Sequence, residues 1–300
     1  MPRTDRKSRV LVLGATGGTG SALAALLDAD PRVEVVRAAR HPPQVAAWQA
    51  ERKAAVLIDL NDARTFPAAL AGIDRVFVMS AYTIEMVHQV KTITDAAVDA
   101  GAGFIAHLGV YSNGRETDPH FVWHELVERY IQYSGAAWCF LHPNMFMENL
   151  TGSQRPVGGK LYWPMGDAKV GWIAGDDLTA VAAKVLAEGP DVHAKQNYYL
   201  STDLLDGPGT AAALSEGLGR EIKAIVMPPD ALEAALAAGT LALDPKFEKH
   251  YAASVVENVR QIYDGRLAHI GTVTDTVERL LGRPPVTLAQ WTKRNRARFI

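Results

Sequence analysis

The sequence contains one cysteine, Cys139, and therefore cannot form an intramolecular disulfide. It has no strong excess of charge, because 31 basic and 33 acidic residues give a formal net charge of -2, and this balance does not favour nucleic acid or an anionic membrane as a partner. It also lacks a long apolar run: Val10–Leu13 ends at Gly14, which is too short for a signal-peptide core or a membrane span. These absences predict a cytoplasmic globular protein that binds neither nucleic acid nor membrane.

The chain does contain a regular alternation of short apolar segments and helical segments. Six segments are predicted to be strands: Arg9–Leu13, Val33–Ala38, Ala55–Ile58, Val76–Met79, Phe104–Leu108 and Trp138–Leu141. Strands separated by helices pair in parallel through right-handed crossovers, and most of these segments are apolar throughout, as strands covered on both faces are. The pattern predicts an α/β fold, a doubly wound parallel sheet of the Rossmann type with the order 3-2-1-4-5-6 plus a late strand.

A glycine-rich segment links the first predicted strand to the first predicted helix. It reads Gly14-Ala-Thr-Gly17-Gly-Thr-Gly20, so that three glycines follow one another at three-residue spacing. In a strand–turn–helix context Gly14 makes the turn, Gly17 lets the backbone approach a diphosphate, and Gly20 lets the helix pack closely. The segment therefore predicts a dinucleotide site at a helix N-terminus. Its predicted cofactor-binding residues are Gly14, Thr16, Gly17, Gly18, Thr19 and Gly20.

The residues that follow the next strands predict which dinucleotide binds. The second strand is followed by no carboxylate for a ribose 2′-hydroxyl; instead Arg37 and Arg40 are present, and guanidinium groups favour a 2′-phosphate. NADP(H) is the predicted cofactor, and NAD(H) is the alternative if both arginines are only solvated. Asp59 is expected near the adenine, and Ser80 with Ala81 against a ribose.

The second half of the chain has a looser pattern. Residues 1–150 are predicted to form the NAD(P)-binding domain, to which 169–190 returns with a strand at Val170–Ile173. Residues 151–168 and 191–300 are predicted to form a smaller, mainly helical lobe over the carboxyl edge of the sheet, where ligands bind in such folds.

Several motifs together resemble the NmrA-like branch of the atypical short-chain dehydrogenases/reductases. They are the glycine segment, the Arg37–Arg40 ending, Asp59, His120–Asn149, Trp172–Leu178, Asn197–Leu200, and Leu280-Leu-Gly-Arg-Pro-Pro. The resemblance covers essentially the whole chain. It implies either an NAD(P)H-dependent reductase of quinones, azo dyes or triphenylmethane dyes, or a dinucleotide-binding redox sensor that regulates a partner protein. The fold alone does not decide between them.

The sequence departs from the superfamily's usual catalytic set. The expected Ser at the end of strand five is absent from His107-Leu-Gly-Val, and the Tyr-x-x-x-Lys positions read His120-Phe-Val-Trp-His124. The resemblance implies that His124 takes the ribose-contacting role. His120 and His124 share one helical face and titrate near neutrality, so either can deliver a proton, with Tyr111 as another candidate. Packing is the alternative role, and no local motif supplies a third ligand for a metal site.

Large side chains are expected to line an apolar cleft that suits a flat aromatic ligand. The predicted substrate contacts are Tyr82, Trp123, Asn144, Phe146 and Trp163, although core packing is an alternative for the aromatic ones. The sequence thus favours an NADPH-dependent reductase of a quinone, quinone imine, azo compound or similar conjugated acceptor. The alternative is a non-enzymatic NADP(H) sensor, with an isomerase or dehydratase as a distant third, and a homodimer is compatible with the sequence.

Overall fold

A computed structural model describes residues 6–241 and 249–299. The first half contains β1 (Ser8–Val12), α1 (Gly18–Asp28), β2 (Val33–Ala39), α2 (Pro42–Ala50), β3 (Ala55–Leu57), α3 (Phe66–Leu70), β4 (Arg75–Val78), α4 (Met86–Asp99), β5 (Phe104–Leu108), α5 (Pro119–Tyr133), β6 (Ala137–Pro143) and β7 (Met145–Phe146). The second half contains β8 (Lys160–Trp163), β9 (Val170–Ile173), α6 (Gly175–Glu188), α7 (Pro190–His193), β10 (Gln196–Leu200), β11 (Asp203–Leu205), α8 (Gly207–Leu218), β12 (Lys223–Val226), α9 (Pro229–Ala237), α10 (Lys249–Tyr263), α11 (Thr276–Leu281) and α12 (Leu288–Arg294).

Seven of these strands form one parallel sheet. Its order is β10-β6-β5-β4-β1-β2-β3, which confirms the predicted order 3-2-1-4-5-6. The late strand is β10, which pairs in parallel with β6. Val170–Ile173 forms β9, which pairs with β7 and β11 in a separate three-stranded sheet. The division into two domains stays a prediction, and β10 lies within the range that it gave to the smaller lobe.

The alternation of side chains along β1 explains why its sequence is apolar throughout. Val10 and Val12 face a cluster that includes residues of α1 and α6, whereas Leu11 and Leu13 face a second cluster built on α3, α4 and α5. Successive strand side chains point to opposite faces of a sheet, so a strand covered on both sides needs apolar residues at every position. Because helices cover both faces of the sheet, its carboxyl edge is the side that remains accessible.

The second half of the chain packs around a third apolar cluster at that edge. Its largest members are Trp163, Trp172 and Trp291, and α10 contributes Val259 and Ile262. The helix α10 is described from Lys249 onward, and the residues just before it lie outside the described part of the chain. Over the described ranges, no helix is both long and apolar enough to cross a membrane.

Candidate functional site

The glycine segment forms a tight loop between β1 and α1. Gly14 has a φ of +69°, a left-handed conformation that strongly favours glycine. A Cβ placed on Gly20 would lie 2.5 Å from the carbonyl carbon of Gly14 and 2.9 Å from the nitrogen of Ala15, so α1 begins in direct contact with the backbone of the loop. The loop therefore has one shape, set by the absence of side chains at two positions.

The N-terminus of α1 is open to a ligand. Its N-cap residue, Gly17, makes no side-chain cap, and no acidic side chain lies in the first turn. Thr16, Gly17 and Gly18 are exposed and Thr19 is partly exposed, so this turn is reachable from solvent. The N–H of Gly17 donates to Gly14 O within the loop at 2.9 Å. Free N–H donors and the positive end of a helix dipole make a site for an anion such as a diphosphate.

The two arginines after β1–α1 have different environments. Arg37 lies on β2 with a side chain that is only 7% exposed, and its guanidinium pairs with Asp28 at the end of α1. Arg40 is exposed, and its Nε donates to the His41 ring at 3.1 Å. Arg40 is thus accessible to a phosphate, whereas Arg37 already pairs one of its guanidinium nitrogens with Asp28. The assignment of both arginines to the 2′-phosphate stays a prediction.

The ends of β3 and β4 place the other predicted cofactor contacts at the same sheet edge. Asp59 accepts a hydrogen bond from the backbone N–H of Asn61 at 3.0 Å, so part of its acceptor capacity serves the local turn. Ser80 is partly buried and Ala81 is exposed just past β4. The residue before them, Met79, packs its terminal methyl against Gly14, which brings the end of β4 beside the glycine loop.

A cluster of buried histidines lies between β5 and α5. His124 Nδ1 is 3.4 Å from His107 Nε2, and the His120 and His124 rings are 4.8 Å apart between centroids and nearly perpendicular. Burial lowers the pKa of His120 to about 4. Burial also lowers the pKa of His107 to about 4, an effect partly offset by the carboxylate of Glu128, and it lowers the pKa of His124 well below its usual value. These histidines are therefore neutral at pH 7.

A second pair extends the cluster toward β6. His142 Nε2 lies 2.9 Å from Glu128 Oε1, and His142 is buried while Glu128 is 17% exposed at its side chain. Both groups pack against Gly109, where a Cβ would lie 3.0 Å from His142 Cδ2 and directly against Glu128 Oε1. Within residues 6–241 and 249–299, no group of three or more His, Cys, Asp or Glu side chains has the arrangement of a metal site.

A cavity of about 270 Å³ lies between the carboxyl edge of the sheet and the second half of the chain. Of the predicted site residues, those that line it are Tyr82, Tyr111, His120, Asn144, Phe146 and Trp163. Trp123 does not: it packs against the apolar cluster on the α4–α5 side of the sheet, so its assignment as a substrate residue is not supported. Burial raises the pKa of Tyr111, with Thr272 lowering it in part, so its phenol is protonated at pH 7.

Asn144 lines the cavity, but its amide serves the fold. Its Nδ2 donates to Ile270 O at 2.8 Å and to Ser201 Oγ at 3.2 Å, and its Oδ1 accepts from the N–H of Met145 at 3.0 Å. Three of its hydrogen-bonding positions are thus used before any ligand arrives. We interpret Asn144 as a residue that joins the end of β6 to the segment after α10.

Sequence reasoning did not identify the part of the cavity that α9 and α10 supply. Leu236 and Asn258 line it from these helices. Ser254 on α10 donates to the carboxylate of Asp118 at 2.6 Å, and Asp118 also caps α5 by accepting from the N–H groups of His120 and Phe121. No local motif marks these residues, because they meet only when residues more than 100 positions apart fold together.

The fold and the glycine loop define a Rossmann-type α/β protein with an anion site at the start of α1. The chain belongs to the NmrA-like family, whose model matches residues 6–278. It is 31% identical over 299 residues to the NAD(P)H azoreductase of Xenophilus azovorans, and the match covers 97% of this chain and 99% of that protein.

Solved structures share the fold over nearly their whole length. Triphenylmethane reductase from Citrobacter sp., complexed with NADP(H), has a TM-score of 0.79 at 20% identity, with 97% of this chain and 100% of that chain covered. The NADPH-dependent quinone oxidoreductase of Escherichia coli, complexed with NADPH, has a TM-score of 0.81 at 23% identity, with 95% of this chain and 98% of that chain covered.

Proposed function

We propose that this protein is an NADPH-dependent reductase of electron-poor conjugated compounds such as quinones and azo compounds. The observation that carries the proposal is the juxtaposition of an open helix N-terminus behind a glycine loop with an apolar cavity at the same sheet edge. The relative in Xenophilus azovorans, named an NAD(P)H azoreductase, and the solved structures of triphenylmethane and quinone reductases support this reaction class.

The residues present fit NADPH. The diphosphate would bind to the N–H groups of the loop at 14–20, and the exposed Arg40 would pair with the 2′-phosphate. Asp59 would lie near the adenine, and Ser80 and Ala81 against a ribose. The ribose contact expected of His124 stays a prediction, because its buried ring lines a separate, polar cavity. When bound, the cofactor supplies a hydride, and the protein supplies position and exclusion of water.

His120 is the candidate catalytic residue of the cavity. Because burial keeps its imidazole neutral at pH 7, it acts on a substrate oxygen or nitrogen as an N–H donor rather than as a stored acid, in the way that a neutral histidine can polarise a carbonyl. Tyr111, protonated and in the same cavity, is the second candidate donor. Hydrogen bonds from these groups would stabilise negative charge that develops on the substrate.

The function is tested by following NADPH absorbance with a panel of a quinone, an azo dye and a cationic triphenylmethane dye. We expect steady, enzyme-dependent consumption of NADPH with at least one acceptor. Saturable binding of NADPH without consumption across the panel would contradict a reductase and would favour the alternative, a dinucleotide sensor.

Arg40 is expected to decide the preference for NADPH. Loss of a charge-assisted contact in Arg40→Ala should weaken NADPH binding by at least about 1 kcal/mol, or roughly fivefold, and leave NADH binding little changed. Isothermal titration with both nucleotides measures the difference. Arg37→Ala is the matched comparison: because Arg37 pairs with Asp28, it should lower stability and affect both nucleotides alike. An equal effect of Arg40→Ala on both nucleotides would remove the phosphate assignment.

A further inference from the structure

A second cavity, of about 200 Å³, lies beside α5, further along the helix than His120. Its lining is mostly polar and includes His124, Glu125, Glu128, Asn113 and His142. It does not share His120 or Tyr82 with the apolar cavity described above. A polar cavity of this size has room for several water molecules with hydrogen-bonding partners.

Only a thin wall separates the two cavities. Gly109 lines the apolar cavity, and its backbone packs directly against the pair formed by Glu128 and His142. Val110 lines both cavities. A side chain at position 109 would push the carboxylate away, so glycine at this position keeps an acid–base pair close behind the wall of the apolar cavity.

Histidine rings span this wall. His120 faces the apolar cavity and His124 faces the polar one, and their ring centroids are 4.8 Å apart. Four residues further along α5, Glu128 reaches His142 at 2.9 Å. The spacing of four residues places 120, 124 and 128 in one row along the helix, with the last member of the row partly exposed to solvent.

We propose that this row conducts the proton that the reduction consumes: Glu128 and His142 take it from water in the polar cavity, and water that bridges to His124, whose buried Nε2 has no hydrogen-bond partner among the described residues, carries it on to His120, which delivers it to the substrate. The proposal rests on the proposed reductase function and adds the source of the proton. Glu128 and His142 are then positioning residues that act through His120.

The chemistry of the acceptors makes the proposal testable. A quinone that receives a hydride becomes a hydroquinone monoanion, which takes one proton to become the hydroquinone. An azo bond likewise needs one hydride and one proton to become a hydrazo compound. A triphenylmethyl cation that receives a hydride becomes a neutral triphenylmethane and takes no proton. A route for protons therefore matters for the first two acceptors and not for the third.

The need for a relay follows from the neutrality of the buried rings. Burial lowers the pKa of His120 to about 4, which is about three units below pH 7, so the protonated ring is rare. A proton must therefore reach His120 while the negative charge on the substrate develops. The carboxylate of Glu128 partly offsets the lowering of the pKa at His107. Glu128 is also the acidic group of the row. Proton transfer by a positioned group typically contributes about 10²–10⁴-fold to a rate.

The experiment compares Glu128→Gln with the wild type on a quinone and on a cationic triphenylmethane dye, at saturating NADPH and pH 7. Glutamine keeps the shape of the side chain and a bond to His142 but does not carry a proton between water and histidine. We expect kcat for the quinone to fall by about tenfold or more and kcat for the dye to change by less than about twofold. The solvent deuterium isotope effect on quinone reduction should increase.

Glu125→Gln is the matched control, because Glu125 lines the same cavity on the same helix and is not part of the row. It should leave both rates and their ratio unchanged. His142→Gln is a second variant of the pair, and the same fall in the quinone-to-dye ratio is expected of it.

The outcomes are distinct. An equal fall in kcat for both acceptors in Glu128→Gln and His142→Gln would show that the pair has only a structural role, and it would overturn the relay. An unchanged kcat for the quinone would also overturn the relay. A wild-type protein that reduces neither acceptor would overturn the proposed function and the relay that depends on it.

Discussion

Replacement of Gly20 with alanine is expected to weaken dinucleotide binding at least about a hundredfold and to destabilise the fold. The new Cβ would lie 2.5 Å from the carbonyl carbon of Gly14, so either the loop or α1 has to move. Helix propensity alone predicts a gain of about 1 kcal/mol for alanine over glycine, but overpacking against rigid backbone costs about 1–3 kcal/mol. Loss of two charge-assisted bonds to the diphosphate costs about 3 kcal/mol or more, which is at least about a hundredfold in affinity.

Gly18→Ala provides the control two residues away in the same turn. No atom lies within 4 Å of a Cβ built at Gly18, and the residue is the first of α1. We expect this variant to be as stable as the wild type or slightly more stable in thermal and urea unfolding. Calorimetry with NADPH measures binding by Gly20→Ala, and wild-type affinity in that variant would show that the loop does not hold the diphosphate.

The free energy of unfolding is expected to fall as the pH is lowered from 6.5 toward 4. In the folded protein burial lowers the pKa of His107 and of His120 to about 4, whereas in the unfolded chain both titrate near 6.5. Between these values the unfolded state binds protons that the folded state does not, so lowering the pH favours unfolding. Each such histidine contributes a slope of up to about 1.4 kcal/mol per pH unit, and its contribution is absent above pH 6.5.

Urea unfolding between pH 6.5 and pH 5 measures this slope before ordinary carboxylates begin to titrate. His120→Gln should reduce the slope of the unfolding free energy against pH by up to the contribution of one histidine, about 1.4 kcal/mol per pH unit. His88→Gln is the control, because His88 is exposed on α4, and it should leave the slope unchanged. A free energy of unfolding that is constant across this interval would mean that the buried rings accept protons without cost.

The sheet could be predicted from the sequence because the residues within each strand indicate how that strand is buried. Apolar side chains at consecutive positions, as in Val10–Leu13, require cover on both faces, and the helices between the strands require parallel pairing. The late strand could not be assigned to a segment from the sequence, because Val170–Ile173 and Gln196–Leu200 are both short segments next to helices, and only the first is apolar throughout. Apolar periodicity does not tell which sheet a buried segment joins.

The site was predictable where one segment contains it and not where distant segments meet. The glycine loop is such a segment. The pair that Arg37 forms with Asp28 could not be recognised from sequence spacing, and neither could the pair that Glu128 forms with His142. Trp123 was placed in the cleft because it lies beside His124 in the sequence, but one residue along a helix turns a side chain by about 100°.

Asp118 joins the start of α5 to α10 through Ser254, and the same carboxylate holds the first N–H groups of the helix that carries His120. The position of α10 and the orientation of that imidazole are thereby linked through one carboxylate. In the proposed reductase, a ligand that displaces α10 would therefore act on the His120 ring without touching it. Bulky acceptors should then be selected by how well they let this junction close, as well as by their fit to the apolar walls.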